Sequence, residues 1–525
     1  MLLVITAAVS SAVTINDKTF DTRGWSETSK LLASDGSGDD RFGVSVAING
    51  TDAIIGAYFE DPGGQSNAGS AYVFTSVSAT WVQQGKLTAT DSAADDQFGF
   101  SVAISGNYAI VGAPFDDDGG ASSGSAYVFI RTGTTWTQQA KLTATDAAGG
   151  DRFGLSVDID GEYAIIGAPY KASNQGFSYI FVRSGTTWTQ QTIIGATGST
   201  YLGSSVSICG DTVVMGAFGT NSNTGMARIY QLIGSSWYGK ATLTASDGAT
   251  GDMFGTSVSI DGENIIVGAP GHDQISSNEG ALYLFKEPST GWADTTETQE
   301  LSAADAESGD ALGSKVSIAG GYVIGSAPND DDSGTYAGSA YLFKNTGSVW
   351  AQQAKLLASD GASNDYFGWS TSISGTTALV GAYADDNTNG IDAGSAYIFE
   401  YVNFPPDPPT ITGPTSGKIK VATTYIFTTS DPEDDDLYFY VDWGDLTNSG
   451  WIGPGDTLDL SHTWQKKGTY TIKAQAKDSL GAESNWTTYP ITMPYSYSIP
   501  FKPFLEKLFD RFPQMFPILR VLLGW

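Results

Sequence analysis

Cysteine is almost absent: Cys209 is the only one in 525 residues, so no disulfide can form within the chain. Histidine is nearly as scarce, and two histidines with one cysteine cannot assemble a Cys/His zinc site. Basic residues are also few, 26 against 57 acidic, for a net charge of -31. Such a surface repels nucleic acid and anionic lipid and attracts cations or basic partners. No apolar run reaches the length of about 18 residues that a single membrane-spanning helix needs. Charged residues make up only 16% of the chain, whereas glycine numbers 64 and aromatics reach 12%. That mixture favours short strands and tight turns over helices. The length exceeds what one hydrophobic core serves, so at least two domains are expected.

Cys209, at the end of Ser207-Ile208-Cys209-Gly210, reads as a small hydrophobe closing a strand. The first residues carry an apolar stretch, Leu2–Val9, and a small-residue step, Ser10-Ser11-Ala12. Segment 1–12 therefore resembles the end of a secretory signal, and an exported, secreted or cell-surface protein is expected.

What the chain has in abundance is a repeat. Tryptophans stand at 25, 81, 136, 188, 237, 292 and 350, and each precedes a Phe-Gly or Leu-Gly pair, at Phe42, Phe98, Phe153, Leu202, Phe254, Leu312 and Phe367. The mean period of about 54 residues lies in the range of propeller blades. Each repeat contains four strand-like runs; in the second these are Trp81–Thr88, Phe98–Ile104, Tyr108–Ala113 and Ser125–Phe129. A four-stranded unit cannot bury both faces alone, so the units must stack. The terminal repeats lack the altered composition of caps, which points to a closed ring rather than an open row.

The residues that carry the repeat are Phe98-Gly99-Phe100-Ser101-Val102, Ile110-Val111-Gly112-Ala113-Pro114 and Gly124-Ser125-Ala126-Tyr127-Val128-Phe129. They resemble the FG-GAP family, typified by the propellers of integrin α-subunits. The resemblance implies an all-β, seven-bladed propeller over 24–402 with the Phe-Gly strand innermost. It also implies that the chain's first strand, Trp25–Ala33, completes the blade containing Phe367.

In such a ring, loops after the second and fourth strands of each blade gather at one end. Those loops are acidic. An Asp pair recurs two and seven residues before the Phe or Leu, as in Asp35 and Asp40, Asp91 and Asp96, Asp146 and Asp151, Asp247 and Asp252, Asp305 and Asp310, and Asp360 and Asp365. The Leu202 repeat lacks it. Asp at these positions is expected to close turns by accepting backbone N–H groups. The Asp runs after the second strand, Asp116-Asp117-Asp118, Asp330-Asp331-Asp332 and Asp385-Asp386, are the better candidate metal ligands, because calcium needs several converging oxygens. The opposite end, with turns such as Asn49-Gly50 and Ser105-Gly106, is expected to be nearly uncharged. Integrin-type repeats bind calcium through an Asp-x-Asp-x-Asp-Gly loop between the first two strands. Here that loop has shrunk to turns like Ile48-Asn49-Gly50-Thr51, and Asp158-Ile159-Asp160-Gly161-Glu162 is too short to encircle an ion, so that property carries over to no residue.

A Pro-rich linker, 403–409, separates the repeats from 410–494, where short alternating strands suggest a β-sandwich. Val441-Asp442-Trp443-Gly444-Asp445, Ser461-His462-Thr463-Trp464 and Lys467-Gly468-Thr469-Tyr470-Thr471-Ile472 resemble a PKD (polycystic kidney disease) domain, which implies a spacer or interaction module. His462 reads as a packing residue. The tail, 499–525, places Phe504, Leu505, Leu508, Phe509 and Phe512 on one helical stripe before Pro513 and Pro517 interrupt it. It suits docking on the protein itself, or peripheral membrane or envelope contact.

No Gly-x-Ser-x-Gly elbow, phosphate loop or metalloprotease motif is present, and the propeller offers only His272 as a base. The chain is therefore expected not to be an enzyme. The first reading is an extracellular adhesion or ligand-binding protein that meets a protein or glycan on the acidic face, with divalent cations as candidate partners. A carbohydrate-active enzyme using Asp carboxylates on that face, and a structural component of a cell envelope, remain open beside it.

Overall fold

The computed structural model describes residues 13–15, 18–20, 24–274, 276–347, 349–433, 435–494 and 501–512. Two compact units divide between Val402 and Asn403. The secretory-like segment 1–12 and the tail beyond Phe512 lie outside the described residues.

The first unit contains seven four-stranded antiparallel sheets. We number the blades by their innermost strands: Ser45–Asn49, Ser101–Ser105, Ser156–Asp160, Val206–Cys209, Ser257–Asp261, Val316–Ala319 and Phe367–Ser374 for blades 1 to 7. Second strands such as Tyr108–Ala113 and Thr377–Ala382 are buried along nearly their whole length, because each is covered on both faces by neighbouring blades. In six of the seven blades the Phe-Gly or Leu-Gly pair precedes the innermost strand as a turn. Glycine is required in these pairs. Gly154 has φ +91°, and a Cβ on Gly112 of the blade before would lie 2.0 Å from its carbonyl oxygen.

Blade 7 takes its fourth strand from the start of the ring. Trp25–Leu31 pairs antiparallel with Ser395–Tyr401, Trp25 opposite Tyr401 and Leu31 opposite Ala396. This is the pairing expected from the repeat offset. The hydrophobic clusters close the circle independently, because each is shared by two blades. Leu87 and Val73 of blade 1 pack with Phe98, Val111 and Tyr127 of blade 2. The cluster between blades 7 and 1 joins Leu31, Leu379 and Ile398 to Phe42, Ile55 and Tyr72. Five further clusters fill the remaining junctions.

A hydrogen bond repeats with the packing. The Trp136 indole N–H donates to Gln84 Oε1 of the preceding blade at 2.8 Å, and Trp188 and Trp237 do the same to Gln139 and Gln191. Trp25 donates to Gln353 at 3.3 Å, so the closing strand obeys the same rule.

The second unit is a sandwich. One sheet holds Thr410–Thr412, Thr423–Thr428 and Thr457–His462; the other holds Asn448–Ile452, Tyr438–Asp442, Gly468–Lys477 and Thr487–Met493. Trp443, Trp464, Tyr425, Phe427, Ile472 and Ile491 fill the space between them. His462 stacks on Trp443 with centroids 4.7 Å apart and lies 2.9 Å from Asp445, a packing role as expected. Phe501–Arg511 is helical and ends before Pro513.

Trp25 is 1% exposed and meets Tyr322 and Tyr401 edge-on at 5.4 and 5.9 Å. Trp25→Ala is expected to lower the stability of the propeller by about 3–5 kcal/mol. Denaturant melting should show the loss in the propeller transition, with the sandwich transition unmoved.

Candidate binding rim

The loops entering each blade are shaped by the second Asp of each recurring pair. Asp40, Asp96, Asp151, Asp252, Asp310 and Asp365 are all buried. Each accepts the backbone N–H of the residue three before it, Ser37, Ala93, Ala148, Ala249, Glu307 and Ala362 respectively, at 2.7–3.0 Å. These six are turn-closing residues. Burial raises Asp96 and Asp365 to about 6 and Asp310 to about 7, against the lowering effect of those N–H donors.

The first Asp of the pair has a different partner. Lys141 on the outer strand of blade 2 reaches Asp91 at 2.8 Å, Asp116 at 2.8 Å and Asp118 at 2.6 Å. Lys355 of blade 6 lies 2.9 Å from Asp305 and 2.7 Å from both Asp330 and Asp332. Lys30 closes on Asp360 and Asp385 in blade 7, and Lys86 on Asp35 and Glu60 in blade 1. Blade 3 moves the ammonium to the loop, where Lys171 binds Asp151 at 2.7 Å and lies 3.4 Å from Asp146. In blades 2, 6 and 7 a tyrosine from the third strand joins the group: Tyr127 donates to Asp116, Tyr341 to Asp330 and Tyr397 to Asp360 and Asp385. Burial tends to raise Asp116, but the Lys141 ammonium and the Tyr127 hydroxyl outweigh it and hold the carboxyl below its ordinary value.

The eight candidate ligands thus divide by task. Asp116, Asp118, Asp330, Asp332 and Asp385 hold lysine ammonium groups. Asp117 and Asp386 accept the backbone N–H groups of Ser122 and Asp392 and brace their own loops. Asp331 is exposed, its carbonyl closing the loop through Gly334 N–H. Calcium takes six to eight oxygens, and here two or three carboxylates already converge on an ammonium. The residues at these loops fit the lysine and do not fit calcium.

Sequence reasoning missed an aromatic arc on the same rim. Phe218 stacks on Tyr201 at 5.0 Å, Tyr201 meets Tyr170 at 5.7 Å, and Arg152 lies over both Tyr170 and Phe115. Phe115 faces Phe100 at 6.5 Å, and Phe100 faces Tyr58 at 5.7 Å. Arg41 covers Tyr383, which packs on Trp369 at 4.5 Å and Tyr366 at 5.5 Å, and Tyr366 stacks on Tyr336. Trp369 and Tyr336 remain 38% and 43% exposed. The signal was an aromatic one or two positions beyond the Gly-Ala step (Tyr58, Phe115, Tyr170, Phe218, Tyr383), hidden because it alternates with proline between repeats.

The FG-GAP repeat family matches residues 25–74, 81–129, 136–181, 237–285, 295–343 and 350–399, more than half of the chain. The chain belongs to the FG-GAP repeat family. The FG-GAP match passes over residues 182–236. That stretch includes the Leu202 repeat, which has no Asp pair and carries Arg228 opposite Thr242, where blades 1, 2, 6 and 7 pair Tyr with Lys. The second unit is similar to the PKD domain of an M14-like peptidase from Thermoplasmatales archaeon SCGC AB-540-F20, at 47% identity over 18% of this chain and 100% of that one, with a TM-score of 0.18. The PKD domain of human VPS10 domain-containing receptor SorCS2 matches at 13% identity over 18% of this chain and 80% of that one, TM-score 0.14. No curated protein matches the chain. FG-GAP repeats and PKD domains are typical of extracellular or cell-surface proteins.

The opposite rim corrects one expectation. It is not nearly uncharged: Asp52 pairs with Arg131 at 2.7 Å, and Asp158, Asp160 and Asp261 sit on the innermost strands. These carboxylates link FG-GAP blades to one another. Asp160 accepts Gly210 N–H and Asp261 accepts Gly320 N–H, while Asp158 accepts from Ile208 N–H and Ser207 Oγ. Burial pushes Asp158 up to about 6 despite these donors.

Two outcomes follow from the acidic rim. Lys355 is 4% exposed, and Lys355→Met would strand its carboxylates without a counter-charge. The expected cost is about 3–5 kcal/mol at pH 7 by denaturant melting, shrinking as the pH falls and the carboxylates protonate. Asp310, raised to about 7, gives stability that is full below the ordinary Asp range and lost as pH rises through 7. Asp310→Asn keeps an oxygen for Glu307 N–H and removes the buried charge. It should stabilise by about 1–3 kcal/mol at pH 8 and by nearly nothing at pH 4.

Proposed function

We propose that the chain is an exported adhesion or ligand-binding protein, and that a protein or glycan docks on the acidic, aromatic rim of its propeller. The observation that supports this is the arc of Tyr, Phe and Trp rings, interleaved with Arg41 and Arg152, running over blades 4, 3, 2, 1, 7 and 6. Rigid aromatics and arginine concentrate binding energy at recognition surfaces, and flat rings also suit the apolar faces of sugars. Exposed carboxylates border the arc at Asp39, Asp61, Asp95, Asp117 and Asp386. They favour a basic protein or the hydroxyl-rich edge of a glycan.

The reading assigns binding rather than turnover. The carboxylates most raised by burial are committed to turns through backbone N–H groups, which suits them to structure more than to proton transfer. It also needs no calcium at the Asp runs, where lysine supplies the positive charge.

The test displays the full chain to a glycan array and to a panel of extracellular proteins, then repeats the strongest interaction with Trp369→Ala/Tyr383→Ala. Affinity is expected to fall at least tenfold with unchanged melting temperature. Binding that survives the double substitution removes the rim from the reading, and turnover of any glycan replaces binding with catalysis.

A further inference from the structure

Blade 5 breaks the lysine rule. In blades 1, 2, 6 and 7 the third-strand tyrosine stands opposite a lysine on the fourth strand: Tyr72 opposite Lys86, Tyr127 opposite Lys141, Tyr341 opposite Lys355 and Tyr397 opposite Lys30. In blade 5 the same register puts Tyr283 opposite Glu300. The loop position that holds Glu60, Asp116, Asp330 or Asp385 in those blades holds His272 here. The entering Asp is kept as Asp247. Two carboxylates and an imidazole therefore surround a point that a lysine ammonium occupies elsewhere in the ring.

The separations are those of ligands around an ion rather than of hydrogen-bonded partners. His272 Nε2 lies 3.7 Å from Asp247 Oδ2 and 3.6 Å from Glu300 Oε1, and the three donor atoms all fall within 4.8 Å of one another. Zinc bonds of about 2.0–2.1 Å in a tetrahedron place ligand atoms roughly 3.3–3.4 Å apart. A protonated imidazole bonded directly to a carboxylate would close to about 2.8 Å. No such direct bond forms here: His272, only 4% exposed, has its Nε2 without a hydrogen-bond partner, and Glu300 Oε1 is likewise buried without one. These two buried polar atoms stand 3.6 Å apart, beyond hydrogen-bond reach of each other, and buried polar atoms are ordinarily partnered.

The surroundings suit a metal. His272 Nδ1 lies 3.2 Å from the Tyr283 hydroxyl and 3.5 Å from Asp252 Oδ2, so the far side of the ring is held, as it is in histidines that ligate metals. The Tyr283 hydroxyl also donates to Asp247 Oδ1 at 3.1 Å, which leaves Oδ2 facing inward. Asp247 has a side chain 40% exposed, which provides an entry path and room for a water as fourth ligand.

We propose that Asp247, His272 and Glu300 form a site for a divalent transition-metal ion of the zinc type, which replaces the lysine ammonium of the other blades. One imidazole nitrogen with two carboxylate oxygens selects such an ion over calcium or magnesium, which prefer all-oxygen shells. The site stands apart from the aromatic arc and does not depend on the ligand proposed for the rim.

The test is isothermal titration of zinc chloride into the metal-stripped full chain at pH 7.5, with calcium chloride as a parallel arm. One zinc per chain is expected, with micromolar or tighter affinity, a raised melting temperature, and at least a hundredfold preference over calcium. The double variant Glu300→Lys/His272→Asp rebuilds the lysine group of blade 6 in blade 5. It should lose zinc binding at least a hundredfold while melting no lower than the metal-free parent. If that variant does not fold, Glu300→Gln serves, with an expected loss of at least tenfold. An absence of zinc binding up to millimolar concentration overturns the proposal. Undiminished binding in the variants overturns it too, by placing the ion elsewhere.

Discussion

No blade of this ring has a core of its own. Each hydrophobic cluster is assembled from the outward face of one sheet and the inward face of the next, so burial is complete only when both neighbours are present. The cluster built from Leu31, Ile398, Phe42 and Tyr72 draws residues from both ends of the repeat array, as does the one in which Trp25 meets Tyr397 and Phe399. Without a disulfide, the ring depends on that junction being as well packed as the other six. The edge-on contacts of Trp25 and its bond to Gln353 are repeats of contacts made elsewhere, not a special clasp.

A chain of net charge -31 must also prevent its acidic rim from repelling itself. It does so locally. Lys30, Lys86, Lys141, Lys171 and Lys355 draw five of the 26 basic residues into the loop bases, each beneath an aromatic ring of its own blade. The desolvation cost of such groups is large, and it is offset because each ammonium meets more than one carboxylate and blades 2, 3, 6 and 7 add a tyrosine hydroxyl to those carboxylates. The surface above the lysines stays acidic, while in the loops beneath it each ammonium offsets part of the carboxylate charge.

Much of this was legible in the sequence, for definite reasons. The blade count and the closing strand follow from regular Trp and Phe-Gly spacing, because packing between identical sheets forces identical spacing. The turn role of Asp96 and its equivalents follows from the fixed three-residue reach of an Asp side chain to a backbone N–H. What remained hidden depends on contacts between repeats. Lys141 and Asp91 are 50 residues apart in the chain and 2.8 Å apart in space, and nothing local to either announces the pair. The extra residues between Trp292 and Leu301 displaced Glu300 from the Trp-to-Lys spacing seen in other repeats, so the exchange of Lys for Glu was visible only in the strand register. The charges of the opposite rim were overlooked because Asp160 and Asp261 sit in hairpins that read locally as ordinary turns.

The pairing of Trp25 with Tyr401 has a mechanical meaning. Val402 N–H bonds to the Gly24 carbonyl, so the polypeptide enters and leaves the propeller at the same corner, along neighbouring antiparallel strands. Tension applied between residue 24 and residue 402 therefore acts across the end of this ladder and opens it one rung at a time, the geometry of a zip. The Trp25 side chain, with Gln353, Tyr322 and Tyr401 around it, sits at the first rung and sets the force at which the ring begins to part.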